Sequence, residues 1–284
     1  MTLVVMGATG KLGRVAVRSL IDRGIAPNEI VAVGRNESAL QELADQGTTV
    51  ARVDYSDTEG LRRALDGATA ALLISGNEMG VRVEQHRNVI EASVAAGVGN
   101  LVYTSVPNAR ETSLFLAPDH KVTEEIIEKS GISATILRNN FYAEGFQADF
   151  TRARDTGLLA NSAGEGRVAT APRAEFAEAA AVALAGREWD GKIYELGGDH
   201  AWTYAEFAAT AAEVLGKPVR YQNLSPEQEA AAAHDAGVDE AIARRISVRN
   251  AGIREGAVDR ITDDLSTLLG RPTTTLASTM RTWV

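Results

Sequence analysis

The sequence predicts an α/β protein: a doubly wound parallel sheet with a smaller α-rich lobe beside it. Three observations lead there. The first half alternates short runs rich in Val, Ile and Leu with amphipathic stretches. Those runs are apolar on both faces, as parallel strands covered by helices must be. A glycine-rich turn, MGATGKLG, joins the first run to the first amphipathic stretch.

In order, TLVVM, IVAVG, TTVARV, AALLI, NLVYTS and SATILR read as buried strands. KLGRVAVRSLIDRG places Leu12, Val15, Ala16 and Leu20 on one helical face, with Gly24 as a natural stop. After Arg138 the rhythm changes. RNNFYAEGFQADFTRARDTG reads as a loop and helix, and LLANSAGEGRV as a Gly-bearing stretch. AEFAEAAAVALAG reads as a short helix and GKIYELGG as a strand. YAEFAATAAEVLG, a short strand in VRYQNL and a largely helical tail complete the chain. We therefore expect a dinucleotide-binding Rossmann lobe over residues 1–138, with 166–200 returning to it. The substrate lobe should come from 139–165 and 201–284. Ligands of open α/β sheets bind beyond the carboxyl ends of the strands, so the cleft between the lobes is the expected site.

Composition narrows the function. Hydrophobic residues make up 45% of the 284 and charged residues 24%, as in ordinary soluble globular proteins. The net charge of −9 argues against duplex nucleic acid, whose phosphates need a basic surface. The absence of Cys removes thiolate catalysis and Cys-ligated metals. His86, His120, His200 and His234 show no metal-ligand spacing, so no metal is expected. No apolar run approaches the roughly 18 residues of a membrane span. The first strand starts at Thr2, leaving no room for a leader, and a cytoplasmic protein is the expectation. A homodimer is left open.

The cofactor reading starts at Gly7, Gly10 and Gly13. Gly7 allows the tight turn, Gly10 lets backbone approach a diphosphate, and Gly13 lets helix and strand pack closely. Thr9, Lys11 and Leu12 complete the cradle at the helix start, where unpaired N–H groups favour an anion. A NAD site usually ends its second strand with Asp or Glu; here the strand ends Gly34-Arg35-Asn36. Arg35 suits a 2′-phosphate, so NADPH is expected over NADH. Asp54 and Tyr55, at the third strand end, are expected near the adenine. Ser75 and Gly76, at the fourth, let a ribose lie close. The hydroxyls of Thr104 and Ser105, at the fifth, are expected to face the nicotinamide, with Arg138 supplying main-chain contacts.

At this point a family resemblance is visible. MGATGKLG, VGRN, VDYSD, LLISGNEMGVRVEQHRNVI, YTSV, the run from His120 to Gly131, LRNNFY and GRPTTTL together resemble the atypical short-chain dehydrogenase/reductases. Among these the chain is most similar to the NmrA-like proteins of the bacterial NADPH:quinone oxidoreductase type 2 branch, grouped with triphenylmethane reductases. The glycine motif alone gives the superfamily; EQHRNVI, LRNNFY and GRPTTTL give the branch. Ordinary superfamily members carry Y-x-x-x-K. Counting back from Ser130-Gly131, the Lys position falls on His120 and the Tyr position on Leu116. The quinone reductase branch shares that departure.

The missing Tyr selects the acceptor. Hydride transfer to a ketone makes an alkoxide whose conjugate acid has a pKa of about 16, near bulk water. Transfer to a quinone makes a phenolate-type anion with a pKa of about 10. The gap of roughly 6 units is about 8 kcal/mol. A ketone reductase needs a poised acid; a quinone reductase can rely on hydrogen-bond donors and water. A triphenylmethane cation needs no proton. The expected acceptor is therefore small and planar, such as a quinone. His120, Asn140 and the backbone at Val106 are the candidate donors, with Phe141 and Tyr142 as an apolar wall. His86, at helical spacing with Ile90 and Val94, reads as a satisfied core His. A dinucleotide sensor without turnover is the competing reading.

Overall fold

The computed structural model describes residues 1–284. The chain runs β1 (Leu3–Met6), α1 (Lys11–Asp22), β2 (Ile30–Gly34), α2 (Glu37–Ala44), β3 (Thr49–Arg52), α3 (Thr58–Leu65), β4 (Ala70–Leu73), α4 (Arg82–Ala95), β5 (Asn100–Ser105), α5 (Ala117–Ser130) and β6 (Ala134–Asn139). It continues through α6 (Gln147–Thr156), β7 (Leu158–Asn161), β8 (Arg167–Val168), α7 (Arg173–Ala185), β9 (Ile193–Leu196), β10 (Trp202–Thr203), α8 (Tyr204–Leu215), β11 (Arg220–Asn223), α9 (Pro226–Asp235), α10 (Glu240–Arg254), α11 (Asp264–Leu269) and α12 (Leu276–Arg281).

Seven strands form one parallel sheet in the order β3-β2-β1-β4-β5-β6-β9. Strand β1 shows why it is covered on both sides. Leu3 and Val5 join one core with α1, α7 and α11; Val4 and Met6 join the other, with α3, α4 and α5. Helix α7 is alanine-rich and mostly buried, with Glu175 and Glu178 its only acidic residues. Ala177, Ala179, Ala180, Ala181 and Ala183 are all fully buried, and their small side chains let α1 pack closely against it. The reversal of strand order between β1 and β4 creates the crevice where a dinucleotide sits in this architecture.

The second lobe has a third core, centred on Phe146, Phe150, Trp202, Tyr204 and Phe207. Phe146 stands edge-on to Trp202 with ring centres 4.9 Å apart. Two short pairs frame it: β8 with β10 antiparallel, and β7 with β11 parallel.

Some elements depart from the sequence reading. Strand β3 is an exposed edge strand, although its Val and Ala composition resembles that of the buried ones. The helix in AEFAEAAAVALAG is not short but spans thirteen residues. LLANSAGEGRV contains β7 and β8. Helix α11 leaves the second lobe: Leu265, Leu268 and Leu269 enter the core shared by α1 and α7. No helix is long and apolar enough to cross a membrane.

Candidate active site

All strands of the large sheet run the same way, so their carboxyl ends form one rim. Gly7 follows β1, Gly34 ends β2, Asp54 and Ser75 lie just past β3 and β4, and Thr104 lies near the end of β5. Around β1 the glycines are required by space. Gly7 adopts a left-handed φ of 80°. A Cβ on Gly13 would lie 2.3 Å from the Gly7 carbonyl oxygen. One on Gly34 would lie 2.5 Å from Thr9 Oγ1, because the Thr9 side chain fills that place.

Helix α1 has no side-chain cap, unlike α2 and α3. Asn36 caps α2 by accepting from the Ala39 N–H at 2.9 Å, and Asp57 caps α3 from the Gly60 N–H at 2.9 Å. Gly10 precedes α1 without a side-chain cap, and the first intrahelical bond runs from the Arg14 N–H to the Gly10 carbonyl at 3.0 Å. The N–H groups of Lys11, Leu12 and Gly13 therefore have no partner, and they fit a diphosphate. The Leu12 side chain is buried in the core, while Lys11 is exposed.

At the adenine end, Arg35 pairs with Asp54 at 3.2 Å and also with Glu78. Glu78 raises the Arg35 pKa further above its ordinary value, with Asp54 adding to the effect. The other Asp54 oxygen accepts from Ser56 Oγ at 2.6 Å and from the Ser56 N–H at 2.9 Å. Those two bonds, with Arg35 behind them, hold the Asp54 carboxyl below the usual carboxylate range. Tyr55 donates to the Ile74 carbonyl at 3.0 Å, and its hydroxyl would be 3.0 Å from a Cβ on Gly7. It braces the floor of the crevice.

The fourth and fifth strand ends are tied to each other. Thr104 Oγ1 accepts from the Ser75 N–H at 2.9 Å and lies 3.4 Å from Ser75 Oγ. The Gly76 N–H donates to His86 Nε2 at 2.9 Å, and the Gly76 carbonyl accepts from Arg82 Nε at 2.6 Å. Arg82, 3% exposed, also bonds Asp119 at 3.1 Å, linking this loop to the start of α5. His86 is the satisfied core His read from its spacing: its Nδ1 lies 2.9 Å from Thr123 Oγ1.

The groups expected near the nicotinamide also have partners within the protein. Ser105 Oγ donates to Glu124 at 2.7 Å, and the Thr104 hydroxyl is engaged at Ser75. Arg138 turns its side chain to Glu124 at 2.6 Å and Glu195 at 2.8 Å, and its backbone lies in the ladder between β5 and β9. Glu124 is 2% exposed, and a carboxylate so buried requires these partners. Asn140 is partly committed: its Nδ2 donates to the Val258 carbonyl at 3.0 Å and its Oδ1 accepts from the Phe141 N–H at 2.7 Å. One of its two Nδ2 N–H groups is left without a partner in the protein. Phe141 and Val106 pack on the second-lobe core, whereas Tyr142 packs on the large core, 5.2 Å from Phe176. The two aromatics thus face different lobes and do not form one wall.

His120 is held differently from Asn140. It is 3% exposed, and its Nδ1 lies 2.7 Å from the hydroxyl of Tyr103, a fully buried residue of β5. Burial pulls its pKa down to about 4, with the Arg82 charge adding to the effect. The ring is therefore neutral at pH 7. The Tyr103 hydroxyl can donate to Nδ1 or accept from it, and Nε2 has no partner in the protein.

The profile of the NmrA-like family matches residues 1–276. The chain belongs to the NmrA-like family. It is 41% identical to quinone oxidoreductase 2 of Escherichia coli (strain K12), over 98% of this chain and 97% of that protein. The crystal structure of the NADPH-dependent quinone oxidoreductase from Escherichia coli in complex with NADPH superposes with a TM-score of 0.93, covering 98% of each chain at 41% identity. The Citrobacter sp. triphenylmethane reductase complexed with NADP(H) gives 0.93 at 34% identity, covering 100% of both chains. Three residues of this NmrA-like chain were not singled out by sequence reasoning: Glu78, Arg82 and Tyr103. Glu78 and Arg82 lie within the quoted LLISGNEMGVRVEQHRNVI run and Tyr103 within YTSV, but only coordinates show what they touch.

Proposed function

We propose that the chain transfers hydride from NADPH to a planar, quinone-like acceptor without a flavin. The observation that carries this reading is the state of His120. At the Lys position of the Y-x-x-x-K pair stands a buried neutral imidazole bonded to Tyr103, and with Tyr103 as the donor its Nε2–H is free. Such a group can hydrogen-bond an oxygen, but at pH 7 it has no readily released proton. That suits an acceptor whose product anion is phenolate-like, with a conjugate acid near about 10. The relatives support the same reading: one is named for quinone reduction, and two were solved with NADPH or NADP(H).

NADPH supplies the hydride. The N–H groups of Lys11, Leu12 and Gly13 hold its diphosphate, and Arg35 holds its 2′-phosphate, which is why NADPH is preferred over NADH. His120 positions the acceptor or the ribose through Nε2–H. Val106 and Phe141, both half-buried at the lobe boundary, exclude water from one side. A triphenylmethane cation fits the same arrangement because it takes hydride without a proton.

The test is stopped-flow oxidation of NADPH by purified, flavin-free protein with a naphthoquinone and a triphenylmethane dye. NADPH consumption with the naphthoquinone is the expected result. Tight NADPH binding with no consumption by either compound would make the chain a dinucleotide sensor instead.

A further inference from the structure

Arg35 and Glu78 stand on opposite sides of β1. Arg35 follows β2, Glu78 follows β4, and the strand order is β2-β1-β4. The glycine turn after β1 is the floor between them, so their ion pair bridges the crevice where the adenosine half of a dinucleotide would lie. The pair is not a core contact, since the two side chains are 57% and 41% exposed. Glu78 is steadied from α4 by Gln85 Nε2 at 3.2 Å. The base of its loop is fixed by His86 and Arg82, and Gly80 beside it takes a left-handed φ of 84°.

We propose that Glu78 is a latch that sets dinucleotide affinity: it holds Arg35 across the adenosine slot and yields it when a dinucleotide enters. This rests on the reading that the site takes NADPH. Arg35 has two carboxylate partners, and a phosphate can replace only the one that is free to leave. Asp54 is fixed in the β3–α3 turn by its two bonds to Ser56. Glu78, on the tip of a loop, is the one that gives way. Every dinucleotide must open the pair. NADPH gives Arg35 a new anion in exchange, whereas NADH offers only a neutral hydroxyl.

The test is a double-mutant cycle read by calorimetric titration of NADPH and NADH at low salt, on native protein, Glu78→Gln, Arg35→Ala and the double variant. Gln keeps the shape and can still bond Gln85, so folding is preserved; Glu78→Ala serves as a second variant. Glu78→Gln should tighten both ligands by about two- to fivefold, the range for an exposed ion pair. The gain should shrink at high salt. On the Arg35→Ala background, Glu78→Gln should leave the NADH affinity unchanged. Unchanged or weaker binding by Glu78→Gln, or a gain that persists without Arg35, overturns the proposal. If native protein binds NADPH while Glu78→Gln is silent, the latch fails and the proposed function stands. If native protein binds neither dinucleotide, the function fails and the latch with it.

Discussion

His120 shows how one side chain can serve a reaction without supplying its proton. Tyr103 fixes its Nδ1, and burial holds its pKa at about 4. A positioned donor contributes less than an obligatory general acid, which typically supplies about 10²–10⁴ in rate. His120→Ala should therefore cost less than about tenfold in kcat with a quinone, below that range. The pH–rate profile should keep its shape. Measuring kcat against pH for both proteins checks this; a loss above about a hundredfold, with a His-like ionisation vanishing, would make His120 the acid. At this scale the sequence was legible where backbone geometry alone dictates the residue, as at Gly7 and Gly13. It was not legible for Ser105, Arg138 and Asn140. Each sits at or just past a strand end, yet each has a partner distant in the chain: Glu124 for Ser105, Glu195 for Arg138, and Val258 for one N–H of Asn140.

The seam of α4, α5 and β5 carries the main polar content behind the site. His86 and His120 are both buried there beside Tyr103, with ring centres 5.5 and 5.9 Å from it. Burial pulls the His86 pKa down to about 3, with the charges of His120 and Arg82 adding to the effect. The ordinary His value is 6.5, so below that pH the unfolded chain takes up protons that the folded chain refuses. Stability from these residues is full above about pH 6.5 and is lost as pH falls toward 4. Each should remove on the order of 2 kcal/mol between pH 7 and pH 5. Urea unfolding at the two pH values should show that loss, and His120→Gln should remove about half of it. Equal stability at both would show that the two rings are not buried neutral. The elements themselves were readable from apolar runs and from helical spacing, as for His86 with Ile90. The exposure of β3 was not, because edge and central strands draw on the same Val-rich composition.

At the scale of the whole molecule, the crevice lies at the carboxyl rim of the large sheet. The order of elements was legible, since strand–helix alternation allows few arrangements. The course of the tail was not. GRPTTTL carried the family resemblance, but its anchors are remote: Arg271 bonds Glu175 at 2.6 Å, and the Thr274 N–H reaches the same carboxylate at 3.1 Å. Pairings across so long a stretch of chain leave no local pattern. Function depends on the lobes meeting at the rim, where Val106 and Phe141 face the second core and Tyr142 the first. The central claim is that this cleft reduces acceptors that need no strong acid. It is tested most directly by kcat/KM for a benzoquinone against a simple ketone, with NADPH and no flavin. The quinone should react at least about a hundredfold faster, the low end of what a missing general acid would supply to the ketone. Equal rates on the two would contradict it.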